Sequence, residues 1–149
     1  LARGTIALPS FVDDDGAFPK SGGNGKITGP QPNSPEERGA VAALYAAFSA
    51  NLCLDVLGST TPIVIDGGFA TNQAFGHLLA ALRPNQPVSM SRSKDGTALG
   101  AGLLWRRFDR TAPVESVLTD HVPSIPVAGL QEAAREWLAL ADKANSAYD

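Results

Sequence analysis

The segment Ile63 to Asn72, IVIDGGFATN, constrains the fold more than any other part of the chain. A β-branched apolar run delivers an acidic residue and two glycines, and helix-like spacing follows at once. This order predicts a strand, a tight turn and a helix. In α/β sheets, ligands bind outside the carboxyl ends of strands, and glycine lets the backbone come close to a flat or charged ligand. The turn Asp66-Gly67-Gly68 is therefore a candidate nucleotide contact. A strand followed by DGG also occurs for purely conformational reasons, so the rest of the chain has to decide.

Gly4 to Leu8 reads as a short strand closed by Pro9. Ser10 to Asn33 is rich in Gly, Pro, Asp and Lys without an apolar period, the pattern of a long loop that is functional or disordered. Ser34 opens a helix, with Pro35 suited to the first helical position and Glu37 completing a capping box. Val41, Leu44, Tyr45, Phe48, Leu52 and Val56 follow at three- and four-residue spacing until Gly58, which predicts a long, well-buried helix. Pro62 to Asp66 is uniformly apolar, as in a strand at the middle of a sheet covered on both faces.

A second helix is expected over Thr71 to Arg83, with Asn72 in its first turn and Phe75, Leu78, Leu79 and Leu82 as its apolar stripe. Pro87 to Met90 gives a brief strand, and a third helix runs over Asp95 to Phe108. That helix carries Gly96, Gly100 and Gly102, although glycine costs up to about 1 kcal/mol per residue in a helix. Close approach to another backbone or to a ligand is the simplest compensation. Thr111 to Val127 reads as a Pro-containing connector, and Leu130 to Ala141 as an amphipathic terminal helix.

The length of 149 residues fits one domain with a real core. A net charge of -3 without a basic cluster argues against a nucleic-acid surface. Cys53 is the sole cysteine, which excludes an internal disulfide; between Leu52 and Leu54 it reads as a small core residue rather than a nucleophile. The cytosol is the natural compartment. No apolar run approaches the ~18 residues that span a bilayer, and no signal peptide is visible. The chain opens at Leu1 within strand-like sequence, which suggests a fragment or processed product whose site is completed by upstream residues.

Several chemical motifs fail on inspection. GGNGKIT at Gly22 to Thr28 departs from a phosphate-binding loop at Lys20 and Ile27, which leaves a flexible loop as its reading. Asp13, Asp14 and Asp15 are consecutive loop acids, more often solvated than metal-binding. His77 and His121 have no partner at ligand spacing, and there is no nucleophile elbow.

What remains is the pairing of VIDGGFATNQAF with DGTALGAGLL, preceded by TIALPSF and a long helix. In order and spacing, Gly4 to Arg107 resembles the carboxyl-terminal domain of the FGGY family of carbohydrate kinases, which includes glycerol and pentulose kinases. The resemblance implies an α/β fold: part of an actin-like, ribonuclease H-like ATPase domain, a mixed sheet flanked by helices, with ATP bound between two domains. Gly68 matches the glycine whose backbone borders the adenine, Gly67 its neighbour, and Asn72 the residue that contacts the nucleotide near its base. Thr97 to Gly100 match the helix packed against that turn, Asp66 is a conformational or polar support, and Phe69 either lies under the base or fills the core. The loop Ser10 to Pro19 does not copy the family's segment at that place, and so leaves the sugar unassigned.

In that family an aspartate acts as general base, and phosphoryl transfer from ATP depends on positioning and magnesium. Both the aspartate and the phosphate-contacting turn lie upstream of a strand like Gly4 to Leu8, so no catalytic and no metal-ligating residue is assigned here. Residues 1–149 are thus expected to be the carboxyl-terminal, nucleotide-binding portion of a two-domain kinase, with 111–149 as connector and terminal helix. The expected partners are ATP with Mg2+, a small sugar or polyol, the amino-terminal domain of the same chain, and a second copy through exposed strand edges; nucleic acid and membrane are not expected. The alternative is a non-catalytic actin-like module that uses nucleotide to gate an interaction.

Overall fold

The computed structural model describes residues 4–12, 17–93, 96–106 and 118–147. They form two compact units, one from residues 1–59 with 125–149 and one from residues 60–124.

The first unit begins with β1 (Ile6–Leu8), paired antiparallel with β2 (Lys26–Thr28) in the register Ile6 to Thr28 and Leu8 to Lys26. Between them lies a 3-10 turn at Pro19–Ser21. The described part of the stretch read as a long functional or disordered loop is knitted by hydrogen bonds. Ser10 and Ser21 donate their hydroxyls to the Phe18 carbonyl at 3.1 and 3.0 Å, and Gly25 N–H donates to the Ser10 carbonyl at 2.6 Å. Phe18 is buried and anchors the turn. GGNGKIT is accordingly a turn running into β2, not a flexible loop. Asp13 to Asp15 lie outside the described residues.

The helix α1 (Pro35–Val56) starts as its capping residues require. Ser34 Oγ accepts from Glu37 N–H at 3.2 Å, and the Glu37 carboxylate accepts from Asn33 N–H at 2.7 Å. Gly58, at φ 61°, ends it. The expectation of a well-buried helix needs correction: Ala43, Ala47 and Phe48 are its buried residues, while Val56 is 78% exposed. Cys53 is likewise exposed rather than a core residue, because it lies off the face formed by Ala43, Ala47 and Phe48. The bilayer-length expectation also changes, since α1 is long and apolar enough to span one by length and composition. Here it packs on β1. The last helix, α2 (Leu130–Ser146), packs against β1 and the 3-10 turn. Its Asn145 side chain accepts from the Lys20 and Ser21 amides at 3.0 and 3.2 Å. Trp137 closes the core at 1% exposure, meets Phe18 and Phe48 at 5.7 Å between ring centres, and donates its indole N–H to the Ala7 carbonyl at 2.8 Å.

The second unit is a mixed three-stranded sheet in the order β3 (Ile63–Ile65), β4 (Val88–Ser91), β5 (Thr119–Val122). β3 and β4 are parallel, with Ile63 opposite Val88 and Ile65 opposite Met90; β5 runs antiparallel to β4. The helix α3 (Gln73–Leu82) makes the crossover that parallel pairing demands. It buries Phe75, Leu79 and Leu82 and rests on β4. β3 is an edge of this three-stranded sheet with Val64 55% exposed, so it is not covered on both faces as its uniform apolarity suggested. Part of the expected connector is β5, whose polar residues Thr119, Asp120 and His121 hid the strand from a reading by apolar pattern. The helix α4 (Gly96–Arg106) follows β4.

Candidate functional site

At the carboxyl end of β3 the chain passes through extended Asp66 into a 3-10 turn, Gly67–Thr71. Gly67 has φ 67°, a left-handed conformation that favours glycine. Asn72 departs from the helical conformation at φ -95°, ψ 91°, and its side-chain oxygen accepts from Phe75 N–H at 3.1 Å. It stands at the N-cap of α3 rather than in the helix's first turn, because a short polar side chain serves the unpaired amides best from that place. The Thr71 hydroxyl donates to the Gly68 carbonyl at 2.9 Å, and Asn72 N–H to the Phe69 carbonyl at 3.0 Å. The turn is therefore held by its own bonds. Of Asn72's polar atoms, Oδ1 is committed to the cap and Nδ2 belongs to an exposed residue, so the amide can still donate.

Gly68 has no conformational reason to be glycine. Its φ is not in the left-handed region, and a Cβ added to it would meet nothing within 4 Å among the described residues. Its bare backbone is a surface on which a flat group could lie. Phe69 packs on Phe75 at 4.7 Å between ring centres, with 44° between planes, and stays 52% exposed. Within this chain Phe69 does not fill the core.

Asp66 and the glycine-rich helix meet at one point. The Asp66 carboxylate occupies the space where a Cβ on Gly96, the first residue of α4, would stand. Its charge lies at the helix's amino end, where the partial positive charge of unpaired amides favours an anion. This contact accounts for Gly96. It does not extend along the helix: Cβ atoms on Gly100 or Gly102 would meet nothing within 4 Å among the described residues. Among the described residues, no other backbone approaches those two positions closely.

Gly67, Gly68, Asn72 and Phe69 thus share one turn, with the Asp66 carboxylate beside the first residue of α4. The arrangement offers bare backbone, an aromatic face and a hydrogen-bond donor, the complement of a nucleobase or ribose. Among the described residues no group of three or more His, Cys, Asp or Glu converges to hold a metal ion. His77 lies on α3 with a buried Nδ1 that has no partner among the described residues, and His121 is exposed on β5.

The profile of the carbohydrate kinase FGGY, C-terminal domain, matches residues 1–114. Among solved structures, a carbohydrate kinase from Novosphingobium aromaticivorans is 27% identical with a TM-score of 0.75, over 96% of this chain and 29% of that one. A xylulose kinase from Rhodospirillum rubrum is 18% identical with a TM-score of 0.71, over 99% of this chain and 31% of that one, a likeness in fold alone. The chain spans under a third of the length of either structure. Among curated proteins, none matches significantly. The expected fold class holds: α/β, part of an actin-like ATPase domain, with a mixed sheet and flanking helices.

Proposed function

The chain belongs to the FGGY family of carbohydrate kinases, and from that premise we propose that it supplies the adenosine side of the ATP site for phosphorylating a sugar or polyol hydroxyl. The observation that carries this reading is the turn at the end of β3, where Gly68 is bare without structural need and Asn72 keeps an exposed amide donor. Gly67 sets the turn's path, Gly68 lets the base approach the backbone, and Asn72 donates to the nucleoside. Asp66 holds the turn against α4, whose Gly100 leaves room on the nucleotide side.

Bound magnesium would neutralise phosphate charge during transfer. On the family resemblance, its ligands, the general base and the sugar contacts are assigned to the rest of the full-length, cytoplasmic protein. By itself the 149-residue chain should transfer no phosphate and bind ATP weakly, since positioning and electrostatic stabilisation are divided between the domains.

The test is Asn72→Asp in the full-length protein. Asp caps a helix as well as Asn, so stability should hold. The donor is lost, and one hydrogen bond of about 0.5 to 1.5 kcal/mol predicts a several-fold rise in KM for ATP with the sugar KM unchanged. A rise confined to the sugar KM contradicts the assignment.

A further inference from the structure

Phe69 is exposed over half its surface, yet it is not a loose surface ring. It rests on Phe75, which is only 6% exposed and fixed in the core of the second unit on the buried face of α3. Both ends of its backbone are held, by the Thr71 to Gly68 bond on one side and the Asn72 to Phe69 bond on the other. A ring so placed loses little conformational freedom when something stacks on it, which is the condition for efficient binding. Solitary exposed apolar residues are common and need no function. Phe69 differs from them by its neighbours: the bare backbone of Gly68 directly before it, and the Asn72 donor at the end of the same turn.

We infer that Phe69 is the stacking platform for the purine base of the phosphate donor, with Asn72 Nδ2 donating at the rim of the same nucleoside. The inference rests on the adenosine-site reading above and deepens it. A purine presents a flat, polarisable face about the size of one aromatic ring pair, and stacking on an aromatic side chain needs no particular edge pattern. Phe75 supports the platform from below and touches no ligand, which makes it a positioning residue.

The test uses the full-length protein with Phe69→Leu and Phe69→Trp. Leucine keeps apolar contact with Phe75 but has no π face, so the dissociation constant for ATP, measured by calorimetry, should rise about 5- to 20-fold, the lower part of the range for base–aromatic stacking. Affinity for inorganic tripolyphosphate, which has no base, should stay as in the parent. Tryptophan should retain ATP affinity, and its added emission, taken as the difference from the parent, should be quenched by ATP but not by tripolyphosphate. Unchanged ATP affinity in Phe69→Leu, while Asn72→Asp still weakens ATP, overturns the stacking role and leaves the adenosine site standing. If neither variant alters ATP affinity in an enzyme that turns over, the adenosine-site reading itself fails. A change in sedimentation of Phe69→Leu with ATP affinity intact shows that Phe69 covers a protein contact, and also overturns the inference.

Discussion

Trp137 and Phe69 each belong to an aromatic cluster, and only the first cluster is closed. Trp137 is 1% exposed, surrounded by Phe18, Tyr45 and Phe48, with its indole N–H bonded to the Ala7 carbonyl. Phe69 has one ring neighbour, Phe75, and half its surface in solvent. Burying an aromatic side chain fully is worth about 1.5 to 3 kcal/mol, so the first cluster converts its area into stability and the second forgoes part of that gain. The difference separates an aromatic cluster that the first unit closes from one that the second unit leaves open to solvent.

The largest effect that could break this contrast is on the closed side. Trp137→Ala should cost about 3 to 5 kcal/mol, seen as a lowered urea midpoint for the full-length protein, because it opens a cavity and removes the indole donor to the Ala7 carbonyl. A midpoint close to the parent's would mean that Trp137 does not organise the first unit.

Next come two glycines of one helix, which should respond with opposite signs. Gly96→Ala puts a methyl group where the Asp66 carboxylate stands, and overpacking predicts a loss of about 1 to 3 kcal/mol. Gly100→Ala meets open space among the described residues and gains helix propensity, so stability should rise by about 0.4 to 1 kcal/mol. The same Gly100 variant should raise KM for ATP if the helix borders the nucleotide. Opposite outcomes in stability without any ATP effect would confine the role of α4 to folding.

Cap residues give a smaller and sharper comparison. Asn72→Ala and Ser34→Ala each remove an N-cap bond and should cost about 1 kcal/mol in thermal or urea stability. Only the first should also weaken ATP.

The smallest expected effect is electrostatic. The hydrogen bond from Arg92 holds the Asp120 carboxyl below its ordinary value, and the Ser34 hydroxyl does the same for Glu36. A carboxyl depressed in the folded state contributes in full above its unfolded pKa of about 4, and loses that contribution as pH falls through the folded value. Both groups are exposed, so Asp120→Asn should lower the melting midpoint slightly at neutral pH and low salt, not at all at high salt, and less and less as pH falls through the folded-state pKa of Asp120. An effect that survives high salt would show that the Arg92 pair does more than surface pairing.

Much of this was legible from residues that act locally. Ser34, Pro35, Glu37 and Gly58 bound α1 by capping chemistry alone, and the βα turn at Asp66 to Asn72 follows from two glycines after an apolar run. What stayed hidden depends on partners distant in sequence. β2 is a three-residue strand, KIT, whose only signal is pairing with β1, and β5 has a polar pattern that its pairing with β4 overrides. The exposed flank of α1, including Cys53 and Val56, could not be told from a core face because its alanine-rich sequence is apolar all round. At the site, Gly67 and Gly68 were readable, but the cap taken by Asn72 Oδ1 and the seat of Phe69 on Phe75 are matters of three-dimensional placement.

The central claim is that the turn Gly67 to Asn72 lies against the base of ATP, and photolabelling tests it most directly. The full-length protein would be irradiated with 8-azido-ATP, with and without excess ATP, and the labelled peptide sequenced. The account predicts ATP-protected label on the peptide that contains Gly67 to Asn72 or on α4. Protected label found wholly elsewhere, with both segments unmodified, would contradict it.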